Sequence, residues 1–131
     1  MSAASGPRTR LLIVDDEVSI RFGLKAFFTA QRYEVACAAD VEEAQALLRN
    51  EHFTIVLVDL RLSGRNGDSG GFDVIDFARE HSPNTRIVVL TASIGVDVEK
   101  RAYDLGADYF VVKPKPLGEL AQILKEILAA S

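Results

Sequence analysis

The sequence has few of the residues that build disulfide frameworks, cysteine-based zinc sites or membrane spans. Among its 131 residues there is one cysteine, Cys37, and no tryptophan. A single cysteine excludes an internal disulfide and a zinc site made of cysteines. Each apolar run falls well short of the roughly 20 residues that a membrane-spanning helix needs. We therefore expect a cytoplasmic protein in which Cys37 is a buried structural thiol.

A large excess of basic charge is also missing. The 15 Lys and Arg residues stand against 19 Asp and Glu, which gives a net charge of -4. Surfaces that bind nucleic acid are usually basic, so the charge argues weakly against direct nucleic-acid binding. The length favours one domain. Residues 1–8 have no apolar segment, and we expect a disordered tail there, followed by one domain over residues 9–130.

Short apolar segments alternate with segments of helical periodicity along the chain. The apolar segments are Leu11–Val14, Tyr33–Cys37, Thr54–Val58, Arg86–Leu90 and Asp108–Val112, and the helical patterns begin near Glu17, Asp40, Phe72, Val96 and Leu117. This alternation predicts an α/β fold with a parallel sheet and helices on both of its faces. Asp40 with Glu43 three residues later predicts a capping box for the second helix.

Charged and hydroxyl side chains follow four of the five predicted strands. Asp15 and Asp16 follow the first strand, Asp59 the third, Thr91 the fourth and Lys113 the fifth. Because the carboxyl ends of parallel strands lie at one edge of the sheet, we expect these side chains to converge. Three carboxylates repel one another, and one ammonium does not balance them. With oxygen ligands alone on offer, Mg²⁺ is the predicted cation.

Such a group of side chains suits phosphoryl transfer. A metal and a lysine would neutralise phosphoryl oxygens, a hydroxyl would donate to one of them, and Asp59 is an available nucleophile. Each residue alone has a simpler interpretation. Asp15 and Asp16 can cap a helix, Thr91 can be a loop residue, and Lys113 can be a solvated surface lysine. Their joint occurrence at strand ends favours the site.

Four motifs resemble the signature of the response regulator receiver domain. They are Val14-Asp15-Asp16-Glu17, Val58-Asp59, Leu90-Thr91-Ala92 and Val112-Lys113-Pro114. The resemblance covers nearly the whole chain and implies a single (βα)5 flavodoxin-like, doubly wound domain with strand order 2-1-3-4-5. It implies that Asp59 accepts a phosphoryl group from a phosphohistidine on a sensor histidine kinase or a histidine phosphotransfer protein. Such a domain promotes only its own phosphorylation and dephosphorylation, and it is not an enzyme for an external substrate.

The resemblance also assigns roles within the metal and phosphoryl site. Asp15, Asp16 and Asp59 would bind Mg²⁺ together with the backbone carbonyl of Arg61. Lys113 would pair with the phosphoryl oxygens. A downstream protein or effector domain would read the modified state, and a homodimer that forms on phosphorylation is a further state that the resemblance allows. It implies no direct contact with nucleic acid or a membrane.

A conformational switch is implied by the same resemblance. Thr91 would move towards the phosphoryl group, and Phe110 would turn inward into the space that opens. The surface of the fourth helix, fifth strand and fifth helix would then change. Ala92 and Ser93 follow Thr91 in the switch loop, and Ser93 holds a position that tunes acyl-phosphate hydrolysis. The peptide bond before Pro114 would be cis.

Residues 61–71 depart most from the family pattern. The segment is longer than usual by about four residues, and Ser63 stands where the family usually has proline. Its four glycines favour flexibility. A flexible insertion and a recognition loop are both consistent with this composition.

Two other functions are alternatives to the phosphoacceptor. Phosphatase-like hydrolases with an aspartate nucleophile resemble a pattern with a second Asp two residues later, and here that position is Arg61. A degenerate receiver that acts as a constitutive binding module would lack essential residues, and here all of them are present.

Overall fold

The computed structural model describes residues 8–62 and 69–130. In these residues strands and helices alternate. The strands are β1 Arg10–Val14, β2 Glu34–Ala38, β3 Ile55–Val58, β4 Arg86–Thr91 and β5 Tyr109–Val112. The helices are α1 Val18–Ala30, α2 Val41–Asn50, α3 Gly70–His81, α4 Val96–Leu105 and α5 Leu117–Ala129. The predicted tail lies outside the described residues except for Arg8, and so do residues 63–68 of the predicted loop.

All five strands are parallel, in the order β2-β1-β3-β4-β5. The predicted strand order and the α/β class are therefore confirmed. The register places Val14 opposite Val58, so the residues that follow β1 and β3 are neighbours. It also places Thr91 opposite Val112, which brings the ends of β4 and β5 together.

The sheet is buried on both faces, which explains why its strands read as nearly continuous apolar runs. Alternate residues of the central strands point to opposite faces. One face packs against α2, α3 and α4, and its strand residues are Leu12, Val14, Val56, Val58, Ile87 and Val89. The other packs against α1 and α5, and its strand residues are Leu11, Ile13, Ile55, Leu57, Val88 and Leu90.

The predicted Asp40 cap is confirmed, and the predicted burial of Cys37 is wrong. Asp40 accepts a hydrogen bond from the Glu43 N–H at 2.8 Å, which is one half of a capping box. The Glu43 carboxylate accepts from the Ala39 N–H at 2.6 Å, one residue before the N-cap. Gly106 ends α4 with a left-handed backbone, φ 119°. Cys37 is only half-buried, because β2 is an edge strand of the sheet. Within the described residues, no helix is both long enough and apolar enough to cross a membrane.

A group of four residues, which we call the neck, joins the chain after β3 to the start of α3. It consists of Leu60, Leu62, Gly70 and Gly71. The N–H groups of Gly71 and Gly70 donate to the carbonyls of Leu60 and Leu62 at 3.0 and 3.1 Å. A Cβ atom on Gly71 would lie 2.3 Å from the carbonyl oxygen of Asp59, so only glycine fits there. α3 begins at Gly70, two residues before the predicted start.

Candidate functional site

The carboxyl edge of the sheet brings the predicted residues together through backbone hydrogen bonds between neighbouring strands. The Asp59 N–H donates to the Val14 carbonyl at 2.9 Å, which fixes Asp59 next to Asp15. The Lys113 N–H donates to the Thr91 carbonyl at 2.8 Å. Four of the five side chains expected to converge thus project from adjacent positions at one edge.

Lys113 joins the two buried acids of this edge. Its Nζ donates to Oδ2 of Asp15 and to Oδ2 of Asp59, each at 2.8 Å. Asp15 is 3% exposed and Asp59 is 7% exposed. Burial lowers the pKa of Lys113, but its hydrogen bonds to the two acids outweigh this effect and raise the pKa above its usual value.

Asp15 is less well compensated than its lysine partner. Burial is the largest effect on its carboxyl group and raises its pKa, although hydrogen bonds from Lys113 and from the Glu17 N–H oppose the rise. The pKa values of Asp15 and Lys113 are thus both raised. The physical reason is that one ammonium serves two carboxylates, so the lysine gains two partners whereas Asp15 shares one.

The other oxygen of Asp59 accepts two hydrogen bonds. The Thr91 hydroxyl donates to Oδ1 at 2.8 Å, and the Arg61 N–H donates to the same atom at 3.0 Å. Thr91 is fully buried. Thr91 therefore already contacts the Asp59 carboxylate, and its movement towards a phosphoryl group stays a prediction. The Asp59 side chain is held in one orientation by three donors.

A polar hollow of about 290 Å³ lies beside Asp59. Its lining residues are Asp16, Glu17, Asp59, Arg61, Ala92 and Lys113. Asp16 is exposed, whereas the Asp59 carboxylate forms the buried wall. The hollow is open to solvent, and its lining combines three carboxylate side chains with two cationic ones.

The oxygen atoms at this edge offer ligands for a divalent cation. No group of three or more His, Cys, Asp or Glu side chains forms a ready-made metal site in residues 8–62 and 69–130. The reason is that the Lys113 ammonium lies against both Asp15 and Asp59, while Asp16 is exposed. Asp16 and Asp59 nevertheless line one hollow, and one or two carboxylates with waters and phosphate oxygens suit Mg²⁺.

The predicted switch residues lie on the side of the sheet that α4 covers. Phe110 is half-buried and packs against the core beneath α2, α3 and α4, whereas Tyr109 is exposed. The Ser93 N–H donates to the Thr91 hydroxyl oxygen at 3.2 Å. The peptide bond between Lys113 and Pro114 is cis, as expected. The coupling of Thr91 and Phe110 stays a prediction.

Two contributions at this edge had no sequence signal. The Glu17 N–H donates to Oδ1 of Asp15 at 2.9 Å. The Arg21 side chain donates to the carbonyl of Asp15 at 2.8 Å. Nothing in the helical pattern separates Arg21 from Lys25, the next basic residue of α1, so only the structure identifies this contact.

Known proteins resemble the chain over nearly its full length. PilR, a response regulator of Pseudomonas aeruginosa, is 33% identical over 121 residues, which are 92% of this chain and 26% of PilR. The chain spans about a quarter of the length of the curated relatives first matched.

Solved structures agree with this likeness. A CheY-like receiver domain protein from Methanospirillum hungatei JF-1 is 28% identical, with a TM-score of 0.88 and coverage of 95% of this chain and 96% of that chain. A response regulator from Burkholderia pseudomallei, solved with a phosphorylated aspartic acid, calcium ion and citrate, is 27% identical. Its TM-score is 0.80, with coverage of 93% and 72%.

The family model described as the response regulator receiver domain matches residues 11–125. This range includes β2 to β5, all of β1 except Arg10, and every residue of the site described above. The chain therefore belongs to the response regulator receiver domain family of two-component signalling.

Proposed function

We propose that this domain is a phosphoacceptor in which Asp59 takes a phosphoryl group from a phosphohistidine. The observation that carries the proposal is the orientation of Asp59. One of its oxygens is held by Lys113 and the other by Thr91, at the wall of an open polar hollow. The phosphorylated aspartic acid in the Burkholderia pseudomallei response regulator supports the same chemistry here.

The transfer follows from these positions. An Asp59 carboxylate oxygen attacks phosphorus, the P–N bond of the phosphohistidine breaks, and the electron pair leaves with the imidazole. The product is an acyl phosphate on Asp59. The Lys113 ammonium and the Thr91 hydroxyl are placed to contact phosphoryl oxygens, since both already contact this carboxylate.

We further propose that the domain uses Mg²⁺. Asp15, Asp16 and Asp59, with the Arg61 carbonyl, would hold it beside the hollow. When bound, the cation neutralises charge on phosphoryl oxygens. The all-oxygen donor set supports this choice, and the calcium ion in the Burkholderia pseudomallei relative supports a divalent cation.

The implied partners are a sensor histidine kinase or a histidine phosphotransfer protein, and a downstream protein or effector domain. The domain acts in the cytoplasm and promotes only its own phosphorylation and dephosphorylation. Its surface is mildly acidic overall, with 15 Lys and Arg against 19 Asp and Glu, which supports a protein partner over nucleic acid.

The test is phosphorylation by a small donor. Acetyl phosphate or phosphoramidate with Mg²⁺ should add one phosphoryl group, measured by intact mass, and Asp59→Asn should abolish the addition. Asp76→Asn is the matched control, since it removes an exposed carboxylate on α3 away from the hollow. An unchanged wild-type mass, while another receiver domain is labelled in parallel, would contradict the proposal. Sustained hydrolysis of a phosphate monoester would support a hydrolase instead.

A further inference from the structure

Each of the four polar atoms of Asp15 forms a hydrogen bond. Its N–H donates to the Ala38 carbonyl at 3.1 Å. Its Oδ1 accepts from the Glu17 N–H at 2.9 Å, and its Oδ2 accepts from Lys113 at 2.8 Å. Its carbonyl accepts from Nη1 of Arg21 at 2.8 Å. Only the last of these contacts comes from a side chain that does not line the hollow.

Arg21 reaches this carbonyl from the first turns of α1. Its own N–H donates to the Glu17 carbonyl at 3.1 Å, so residue 17 is tied to Arg21 through the backbone as well. The Arg21 side chain therefore bridges the beginning of the helix and the end of β1. Between them lie three residues, Asp15 to Glu17, whose backbone sets the directions of the Asp15 and Asp16 side chains.

We infer that Arg21 is a positioning residue that holds the turn Asp15–Glu17 so that Asp15 keeps its contact with Lys113 and Asp16 lines the hollow. The inference rests on the proposed function for its consequence, which is tighter cation binding. Partners of this kind, one step removed from a metal ligand, commonly alter metal affinity by about 10- to 100-fold when they are removed.

Charge and position predict opposite effects of removing Arg21. The guanidinium is a cation close to a proposed cation site, so loss of its charge alone should tighten Mg²⁺ binding. Loss of the hydrogen bond to the Asp15 carbonyl should loosen the turn and weaken binding. The sign of the change therefore separates the two roles.

Lys25 provides the matched control on the same helix. Burial raises the pKa of the Cys37 thiol, and the positive charges of Lys25 and Arg21 both oppose the rise. The two cations thus lie near the same part of β2. Lys25 is exposed, and its contacts among the described residues do not include the Asp15 carbonyl.

The experiment measures Mg²⁺ affinity by isothermal titration calorimetry on the whole chain. Arg21→Ala should weaken binding about tenfold. Lys25→Ala should leave it unchanged or slightly tighter, and Arg21→Lys should recover most of the loss because it keeps a donor and the charge. An Arg21→Ala variant that binds Mg²⁺ as tightly as the wild type, or more tightly, overturns the inference.

A second measurement needs neither metal nor phosphoryl donor. Hydrogen exchange of the Glu17 amide, which donates to Asp15, should be about tenfold faster in Arg21→Ala without Mg²⁺. The amide of Val88, in the core of β4, reports any global loss of stability. An unchanged Glu17 rate overturns the positioning role and leaves the phosphoacceptor function standing. A faster rate in a protein whose wild type neither binds Mg²⁺ nor accepts a phosphoryl group overturns the function alone.

Discussion

Replacing Lys113 by methionine removes the charge that joins two buried carboxylates. The ammonium donates at 2.8 Å to Asp15 and to Asp59. Hydrogen bonds to charged groups contribute about 1.5–3 kcal/mol each, and removing one member of a buried ion pair typically costs about 3–5 kcal/mol. Because the Lys113 side chain is 17% exposed, we expect the low end, a loss of about 3 kcal/mol in the free energy of unfolding near neutral pH.

The loss should shrink as the pH falls. Without Lys113, burial and the neighbouring Asp59 carboxylate raise the pKa of Asp15 in the folded state further above the unfolded value. The folded protein then binds a proton more tightly than the unfolded chain. The resulting stabilisation is fully present below the unfolded pKa and is lost as the pH rises through the folded pKa. Each unit of difference contributes about 1.4 kcal/mol.

The stability of the wild type should also be favoured by a fall in pH, by a smaller amount than that of Lys113→Met. The pKa of Asp15 is already raised by burial, so its proton also favours the folded state at low pH. The raised pKa of Lys113 acts in a different window. Its contribution is fully present below the unfolded lysine pKa and is lost only as the pH rises through the higher folded value.

Urea denaturation followed by circular dichroism measures these changes. Wild type and Lys113→Met are compared at about pH 5 and about pH 8, with Lys115→Met as the control two residues along the chain. The difference between wild type and Lys113→Met should be larger at the higher pH. An equal difference at both pH values would refute the coupling of Asp15, Asp59 and Lys113.

The remaining predictions concern the neck and the hollow. Gly71→Ala should destabilise the fold by about 3 kcal/mol, because its Cβ would overlap the Asp59 carbonyl. Gly23→Ala has open space around it in α1 and should stabilise by about 0.5–1 kcal/mol, so equal effects in urea denaturation would argue against the close approach. Asp16→Asn should weaken Mg²⁺ binding in calorimetry about tenfold and, because Asp16 is exposed, change stability by less than about 0.5 kcal/mol. Asp76→Asn should change neither quantity, and equal Mg²⁺ affinities of the two variants would remove Asp16 from the site.

The fold was predictable because a sheet buried on both faces shows itself as separate apolar runs. The convergence of Asp59 and Lys113 was predictable for a related reason. Parallel strands place their carboxyl ends at one edge, whatever the detailed register. The choice of Phe110 over Tyr109 came from the resemblance, since the period of a strand does not say which face a helix will cover.

Contacts that depend on tertiary packing could not be predicted from local patterns. The close approach of Gly71 to the Asp59 carbonyl joins the first turn of α3 to the residue that follows β3. The Arg21 contact depends on how α1 leaves β1. The partial exposure of Cys37 could have been predicted, because the expected strand order already placed β2 at an edge of the sheet.

Because of the neck between β3 and α3, we expect the geometry of the site not to depend on the length of the chain segment that follows Leu62. Leu60 and Leu62 are buried in the core, and their carbonyls are tied to Gly71 and Gly70. The neck thus holds the chain that follows Asp59, in addition to the hydrogen bond from the Asp59 N–H to the Val14 carbonyl. Lengthening a loop whose ends are already fixed costs little, since the entropy of closure rises only slowly with length. We therefore expect that a short peptide inserted between Leu62 and Gly70 leaves Asp59 in place.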